Sequence, residues 1–209
     1  MVQSAGIFST PLHPLQEVLK ASWYLLALIN EILDLAQIES GKVTVSMEPV
    51  SLLDVMLECR AMVEPQADKC GITMLFPQFA PPAYFVHADK TRVKQVLINL
   101  LLNAIKYNAP GGSVAVECAL NPPNSIRIGV RDTGQGMDPE NFAQLFQPFN
   151  RLGKESGSEE GTGIGLVVTK RLIELMGGTI GAQSTVGVGS IFWFELSLTM
   201  APLPAVLNA

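Results

Sequence analysis

Asn99, Asn103 and Lys106 stand four and three residues apart in the run Asn99-Leu-Leu-Leu-Asn103-Ala-Ile-Lys106-Tyr107-Asn108. On a helix that spacing puts all three on one face, while Val96, Leu97, Leu100 and Ile105 turn largely away from it. An asparagine carbonyl is a hard oxygen ligand for Mg²⁺, and an ammonium one turn on can touch phosphate. A helix with a solvated polar face would show the same letters. The run Asp132-Thr133-Gly134-Gln135-Gly136-Met137 follows a strand-like segment. Its carboxylate can accept a hydrogen bond from an exocyclic amine, and its glycines let backbone approach a flat ring; a lone Asp-x-Gly-x-Gly is also an ordinary turn. Phe146-Gln147-Pro148-Phe149, followed by Arg151-Leu152-Gly153, sets an aromatic anchor beside a basic residue, as would a small apolar cluster that fixes a loop. Gly161-Thr162-Gly163-Ile164-Gly165-Leu166 leads into a helical pattern, and a helix N-terminus holds phosphate through backbone N–H groups. Taken alone, a glycine-rich turn says little.

These four patterns need elements to hold them. Residues 1–14 hold two prolines and no apolar period, and read as a leader. From Leu15 the letters change: Leu15, Ser22, Ile29 and Ala36 recur at seven residues, with Val18, Leu25 and Ile32 three further on and Leu19, Leu26 and Leu33 four further on. That wide apolar stripe predicts one long helix ending near Ser40-Gly41, with Gly41 as its cap. One helix cannot bury such a stripe, so partner helices are implied. Residues 42–47 alternate like an edge strand. Ser51 stands as an N-cap before a helix over 52–68, and strand-like runs follow at 72–76 and 83–87. A helix is predicted over 90–107, stopped by Asn108-Ala109-Pro110-Gly111-Gly112. Runs 113–120 and 125–131 read as a hairpin around Asn121-Pro122-Pro123-Asn124. The Gly- and Ser-rich stretch from Asp132 to Gly163 carries a helical island over 141–146; so long a loop in a compact domain is a lid or a binding segment. A helix over 165–176 and strands over 179–183 and 190–198 follow, and 201–209 reads as a tail. The expected class is α+β, a two-layer α/β sandwich of a mixed sheet with helices on one face, preceded by a long helix.

Composition sets outer bounds. A 48% apolar fraction supports a buried core, and 16% charged residues argue against disorder. A net charge of -5 and a pI near 5.0 offer no basic surface to nucleic acid. An anionic nucleotide is still admissible where backbone amides and a metal ion supply the positive field. Cys59, Cys70 and Cys118 form no CxxC pair and have no nearby histidine, so buried thiols are expected rather than a zinc site or a disulfide framework. The apolar run over 24–35 is interrupted by Glu31 and Asp34 and is too short to span a bilayer. No signal peptide is visible, and the chain is expected to be cytoplasmic without direct membrane contact, including as the cytoplasmic part of a membrane-bound sensor.

In this order and at these separations, the Asn helix, Asp-x-Gly-x-Gly, Phe-x-Pro-Phe and Gly-x-Gly-x-Gly resemble the N, G1, F and G2 boxes of the sensor histidine kinase catalytic domain. That domain belongs to the ATPase group that includes gyrase B, Hsp90 and MutL. Leu28-Ile-Asn-Glu-Ile-Leu-Asp-Leu-Ala-Gln-Ile-Glu-Ser-Gly-Lys42 looks like the second helix of the kinase dimerisation domain and its exit. Asp89-Lys-Thr-Arg92-Val-Lys-Gln95 is similar to the approach to the N box. Met176-Gly177-Gly178 and Ser184-Thr-Val-Gly187-Val-Gly189-Ser190 resemble the end of the domain. The likeness spans about residues 15–198. It implies a Bergerat-type ATP-binding fold, with 15–41 a partial dimerisation helix and 42–200 the catalytic and ATP-binding domain.

Carried over by position, the resemblance makes Asn103 the Mg²⁺ ligand with Asn99 nearby, and brings Lys106 and Tyr107 to phosphate or ribose. It gives Asp132 the adenine amino group, places Gly134, Gly136 and Met137 along the base, and uses Phe146 and Phe149 to anchor a lid. Arg151 would reach the phosphates, and Gly161, Thr162, Gly163, Ile164, Gly165 and Leu166 would hinge and cradle them. ATP and Mg²⁺ are the cofactors implied. The partners implied are a second copy bound through helix 15–41, a histidine-bearing dimerisation helix and a response regulator receiver domain.

The likeness departs from the family in one respect. The family's phosphoaccepting histidine is followed by an acidic and then a basic residue, and this chain has only His13, between Leu12 and Pro14, and His87 at a strand end. Neither is expected to be the acceptor, so the γ-phosphoryl is expected to go to a histidine outside this chain, with no autophosphorylation by the chain alone. Two other readings share the pocket. A gyrase- or MutL-type machine usually carries a carboxylate on the Asn helix, where Gln95-Val-Leu-Ile-Asn99 has none; a helical dimer module could use ATP as a regulator only.

Overall fold

The computed structural model describes residues 22, 25, 26, 28, 29, 32–38, 40–77, 84–150 and 162–202. Helix α1, continuous over residues 32–38 and helical at the described positions before them, ends on a Schellman turn. Gly41 stands at φ +67°, its N–H donates to the Ile38 carbonyl at 3.1 Å, and the Lys42 N–H donates to the Gln37 carbonyl at 3.0 Å. Leu35 and Ile38 are buried against the rest of the molecule with Leu28 partly so, and Gln95 Nε2 donates to Asp34 Oδ2 at 3.0 Å.

The strand expected over 42–47 is not formed. Val43, Val45 and Met47 do turn alternately inward, but the backbone is spent elsewhere: the Ser46 N–H donates to the Asp89 side chain at 2.9 Å. Alternation reports which way side chains point, and a strand also needs a neighbour. That neighbour arrives at β1 (Glu48–Ser51), which pairs antiparallel with β3 (Phe85–Ala88). Ser51 then caps α2 (Leu52–Cys70), its Oγ accepting from the Asp54 N–H at 3.3 Å, and Gly71 at φ +67° closes the far end. The remaining elements are β2 (Thr73–Leu75), α3 (Lys90–Lys106), β4 (Ser113–Asn121), β5 (Ser125–Asp132), α4 (Pro139–Ala143), α5 (Gly165–Leu175), β6 (Thr179–Thr185) and β7 (Gly189–Thr199). The helical island therefore starts two residues before the expected 141. Asp138 accepts from the Asn141 N–H at 2.8 Å and Pro139 occupies the first turn, a start signal that outweighs the apolar letters further on.

The sheet runs β1-β3-β7-β5-β4-β2, with β6 added to β7. Every pairing is antiparallel except β2 with β4, so the sheet is mixed. Ile126, Ile128 and Val130 of β5 and Phe194 and Leu196 of β7 are fully buried on one face, where α3 and α5 pack with Val96, Leu97, Leu100, Leu172 and Ile173. The other face carries Arg127 paired with Glu195 at 2.6 Å, Arg131 paired with Glu117 at 2.7 Å, and Trp193 beneath the Arg127 guanidinium at 3.8 Å. Period-two alternation has sorted core from solvent, and the two-layer α+β sandwich expected from the sequence is the one the chain forms.

Of the three cysteines, Cys59 is buried and Cys118 half-buried, and burial pushes their thiols up to about 11 and about 12. Cys70, expected to be buried, is exposed because it is the last residue of α2, and its Sγ accepts from Gln66 Nε2 at 3.8 Å. His87 points outward from β3, opposite Pro49; His13 lies outside the described residues. Among the described residues no helix is long and apolar enough to cross a membrane.

Candidate functional site

Helix α3 begins at Asp89, whose side chain accepts from the Arg92 N–H at 3.1 Å. Its buried stripe, including Val93, Val96, Leu97, Leu100 and Ala104, turns to the sheet and to α2 and α5. The orientation of that stripe fixes where the polar letters go: Asn99, Leu102, Asn103 and Lys106 line one side of a cleft of about 530 Å³. Asn99 Nδ2 donates to Thr169 Oγ1 of α5 at 2.7 Å, and the Lys106 ammonium lies 4.7 Å from the Tyr107 ring centre.

The C-terminal end of α3 is tied to the end of β5 by side chains. Asn108 Nδ2 donates to the Ser113 carbonyl at 2.9 Å, Thr133 Oγ1 donates to Asn108 Oδ1 at 3.0 Å, and the Ser113 N–H donates to Thr133 Oγ1 at 2.9 Å. A Cβ on Gly134 would run into the Tyr107 carbonyl oxygen, so a glycine is what lets this loop close on the helix end. Asp132 is buried at the end of β5. Its Oδ1 accepts from the Gly134 N–H at 2.8 Å and the Ser190 N–H at 3.2 Å. Burial pushes the Asp132 carboxyl up from the ordinary range, and the two N–H donors pull it partly back. Gly136 stands at φ +67° against the Thr185 carbonyl. Met137 N–H donates to Ser184 Oγ at 2.8 Å, and Ser184 Oγ lies 2.9 Å from Ser190 Oγ, so the β6–β7 turn braces this wall.

The third wall is the start of α5. No side chain caps its first turn, so its first backbone N–H groups have no side-chain acceptor, and Gly165 and Leu166 line the cleft. A Cβ on Gly165 would sit 2.8 Å from Asn99 Oδ1. Just ahead of the helix, the Phe149 N–H donates to the Gly163 carbonyl at 3.2 Å, with Phe149 at φ +63° and Gly163 at φ +71°.

Of the residues singled out in the sequence, Asn99, Asn103, Lys106, Tyr107, Asp132, Gly136, Met137, Thr162, Gly163, Gly165 and Leu166 line this one cleft. Gly134 stands behind it, against Tyr107. Ile164 is fully buried, Phe146 packs against the core with the Lys170 ammonium 5.4 Å from its ring, and Phe149 is exposed. Arg151 and Gly161 lie outside the described residues. The sequence reading passed over Leu102, Gln135, Asp138, Asn141, Leu145, Asn150, Val186, Ser190 and Phe192, which also line the cleft. Two of them are placed only by strand pairing: Phe192 pairs with Val130, and Ser190, two residues before it on β7, lies beside Asp132, to whose Oδ1 its N–H donates.

A carboxylate acceptor, side-chain amides, a lysine and an uncapped helix N-terminus thus meet in one cleft. Residues 88–200 match the family described as histidine kinase-, DNA gyrase B- and HSP90-like ATPase, over half of the chain. Among curated proteins, the sensor protein GacS of Pseudomonas syringae pv. syringae is 38% identical over 189 residues, 87% of this chain and 20% of that protein. The circadian input-output histidine kinase CikA of Synechococcus elongatus is 40% identical over 184 residues, 86% of this chain and 24% of that protein. This chain therefore spans about a fifth of the length of the relatives it matches. The crystal structure of full-length ShkA in complex with AMPPNP superposes with a TM-score of 0.78 at 27% identity, covering 94% of this chain and 41% of that one. The chain belongs to the histidine kinase-, DNA gyrase B- and HSP90-like ATPase family, and within it is homologous to the catalytic domains of sensor histidine kinases.

Proposed function

We propose that this chain is the ATP-binding catalytic module of a two-component sensor histidine kinase. It would transfer the γ-phosphoryl group of ATP to a histidine carried outside it, for onward transfer to a response regulator receiver domain. The single observation that carries this reading is the shared cleft, in which Asp132 stands with Asn99, Asn103, Lys106 and the start of α5. Asp132 Oδ1 is held by two backbone donors, which leaves Oδ2 to accept the adenine amino group. Gly136 and Met137 border the base, and Lys106 with the first turn of α5 meets the phosphates.

Mg²⁺ fits this donor set. Among the described residues no three His, Cys, Asp or Glu side chains cluster to form an all-protein cage. The amide oxygens of Asn99 and Asn103 are the hard neutral donors that suit an ion arriving on the nucleotide. Bound there, the ion would neutralise charge on the phosphate oxygens. In the step itself a histidine nitrogen forms a bond to the γ-phosphorus, the bond from that phosphorus to the β–γ bridging oxygen breaks, ADP leaves and the imidazole proton passes to solvent. The protein's part is to position and to exclude water. Dependence on ATP suits a cytoplasmic location, and the exposed apolar side of α1 suits a homodimer.

The reading is tested by label transfer from γ-labelled ATP with Mg²⁺, comparing the chain alone with the chain plus a histidine-bearing dimerisation domain. Acid-labile label is expected only in the second tube, and none with Asn103→Ala. Label retained on the chain alone, or none in either tube despite tight ATP binding, would count against it.

A further inference from the structure

Among the described residues three polar or charged side chains are buried: Asp132, Ser190 and Thr169. The first two line the cleft. Thr169 does not, and it sits on the face of α5 otherwise made of Val167, Val168, Leu172 and Ile173. A valine would fill the same space there without burying a hydroxyl. The hydroxyl has one partner across the helix pair, Asn99 Nδ2 at 2.7 Å.

A carboxamide can stand in either of two orientations that present opposite chemistry. With Nδ2 committed to Thr169, Oδ1 is the atom left over, and it lies beside Gly165 at the start of α5. Turned over, the group would offer an N–H to the same place, able to bond a phosphate oxygen and repelling a cation. As the acceptor of that bond, the Thr169 hydroxyl presents a lone pair to α3. Gly165 and Thr169 are four residues apart and share a helix face, which puts the gap and the acceptor under the same amide.

We propose that Thr169 is a positioning residue that holds the Asn99 amide with its oxygen toward the cation accompanying the nucleotide phosphates. The inference rests on the ATP-binding reading above. Groups behind a metal ligand typically govern metal affinity by about 10- to 100-fold when removed. Removing the acceptor therefore weakens cation-dependent binding and leaves the nucleotide's other contacts intact.

The test is calorimetric titration of the whole chain with ATP, once with excess Mg²⁺ and once with a chelator. Thr169→Val is expected to weaken Mg²⁺-dependent binding about tenfold or more and to leave chelator binding within about twofold. Thr169→Ser, which keeps the hydroxyl, restores the Mg²⁺ arm. In an Asn99→Ala background, Thr169→Val has no further effect on the Mg²⁺ arm. The inference is overturned if Thr169→Val leaves the Mg²⁺ arm unchanged, weakens both arms equally, or is not distinguished from Thr169→Ser. Failure of the unsubstituted chain to bind ATP in either arm overturns the ATP reading itself, and is a different result from all of these.

Discussion

The two oxygens of Asp132 are not equivalent. Oδ1 holds the loop by accepting from Gly134 and Ser190, so only Oδ2 is left for a ligand. An asparagine can keep Oδ1 in place and put an N–H where Oδ2 was. Asp132→Asn is therefore expected to lower ATP affinity by roughly 10- to 100-fold, the cost of about 1–3 kcal/mol for facing donor against donor, as read by calorimetry. The fold should survive, and the sign of the pKa shift says why. Burial raises the Asp132 carboxyl above its unfolded value, so the ionised form costs stability that is recovered only as pH falls, and at pH 7 the neutral amide removes that cost. A thermal midpoint several degrees below the parent would contradict this. In the unsubstituted chain, nucleotide binding should weaken on the acid side as a proton occupies the acceptor. Asn99, Asn103 and Lys106 were legible because helical spacing alone puts them on one face. Ser190 and Phe192 were not, since their place depends on the pairing of β5 with β7. Thr169 reads from its neighbours as one more position in an apolar helix.

Elements were legible where capping chemistry and periodicity agreed. Ser51 begins the helix its letters announce, and Gly41 ends one in the left-handed region; α2 runs two residues past the expected 68, to Cys70, and stops at Gly71. Residues 42–47 misled because inward alternation can be satisfied by packing without a ladder. How the helices pack on each other was not legible at all, because it joins residues far apart in sequence. Glu58 of α2 lies 2.7 Å from the Lys90 ammonium and 2.8 Å from that of Lys94, both on α3. Hydrogen bonds from Lys90 and Lys94 hold its carboxyl down at about 2, against an ordinary 4.5. A depressed carboxylate contributes stability that is present above its unfolded value and lost as pH falls through the folded one. The difference in thermal midpoint between the parent and Glu58→Gln should therefore be small, level above about pH 4.5 and shrinking toward pH 2. Because these side chains reach solvent, about 1 M salt should flatten it. A gap that widened on acidification, measured by scanning calorimetry in low-salt buffers, would refute the assignment.

At the scale of the whole molecule, α1 has two apolar sides with different fates. Leu35 and Ile38 dock it on the domain, and Asp34 adds a bond to Gln95 on the helix that carries Asn99 and Asn103. The other side leaves Leu26 48%, Ile29 45% and Leu33 51% exposed at helical spacing. Large side chains in a continuous stripe are exposed at a cost of about 25 cal/mol per Å² of apolar surface that a partner could cover. The domain already occupies the first side, so a second copy can bury the stripe without disturbing the cleft, and the copy's own stripe is the complementary surface. The chain should therefore sediment as a dimer at roughly micromolar concentration, an affinity of about 8 kcal/mol. The double variant Ile29→Lys, Leu33→Lys should sediment as a monomer, because it puts like charges face to face where apolar surface was. ATP affinity should stay within about twofold, since both residues are about half exposed, whereas the helix is docked through the buried Leu35 and Ile38. A monomeric parent would mean that something other than a second copy covers the stripe. A monomeric variant that had also lost ATP binding would mean that the two sides of α1 do not act separately.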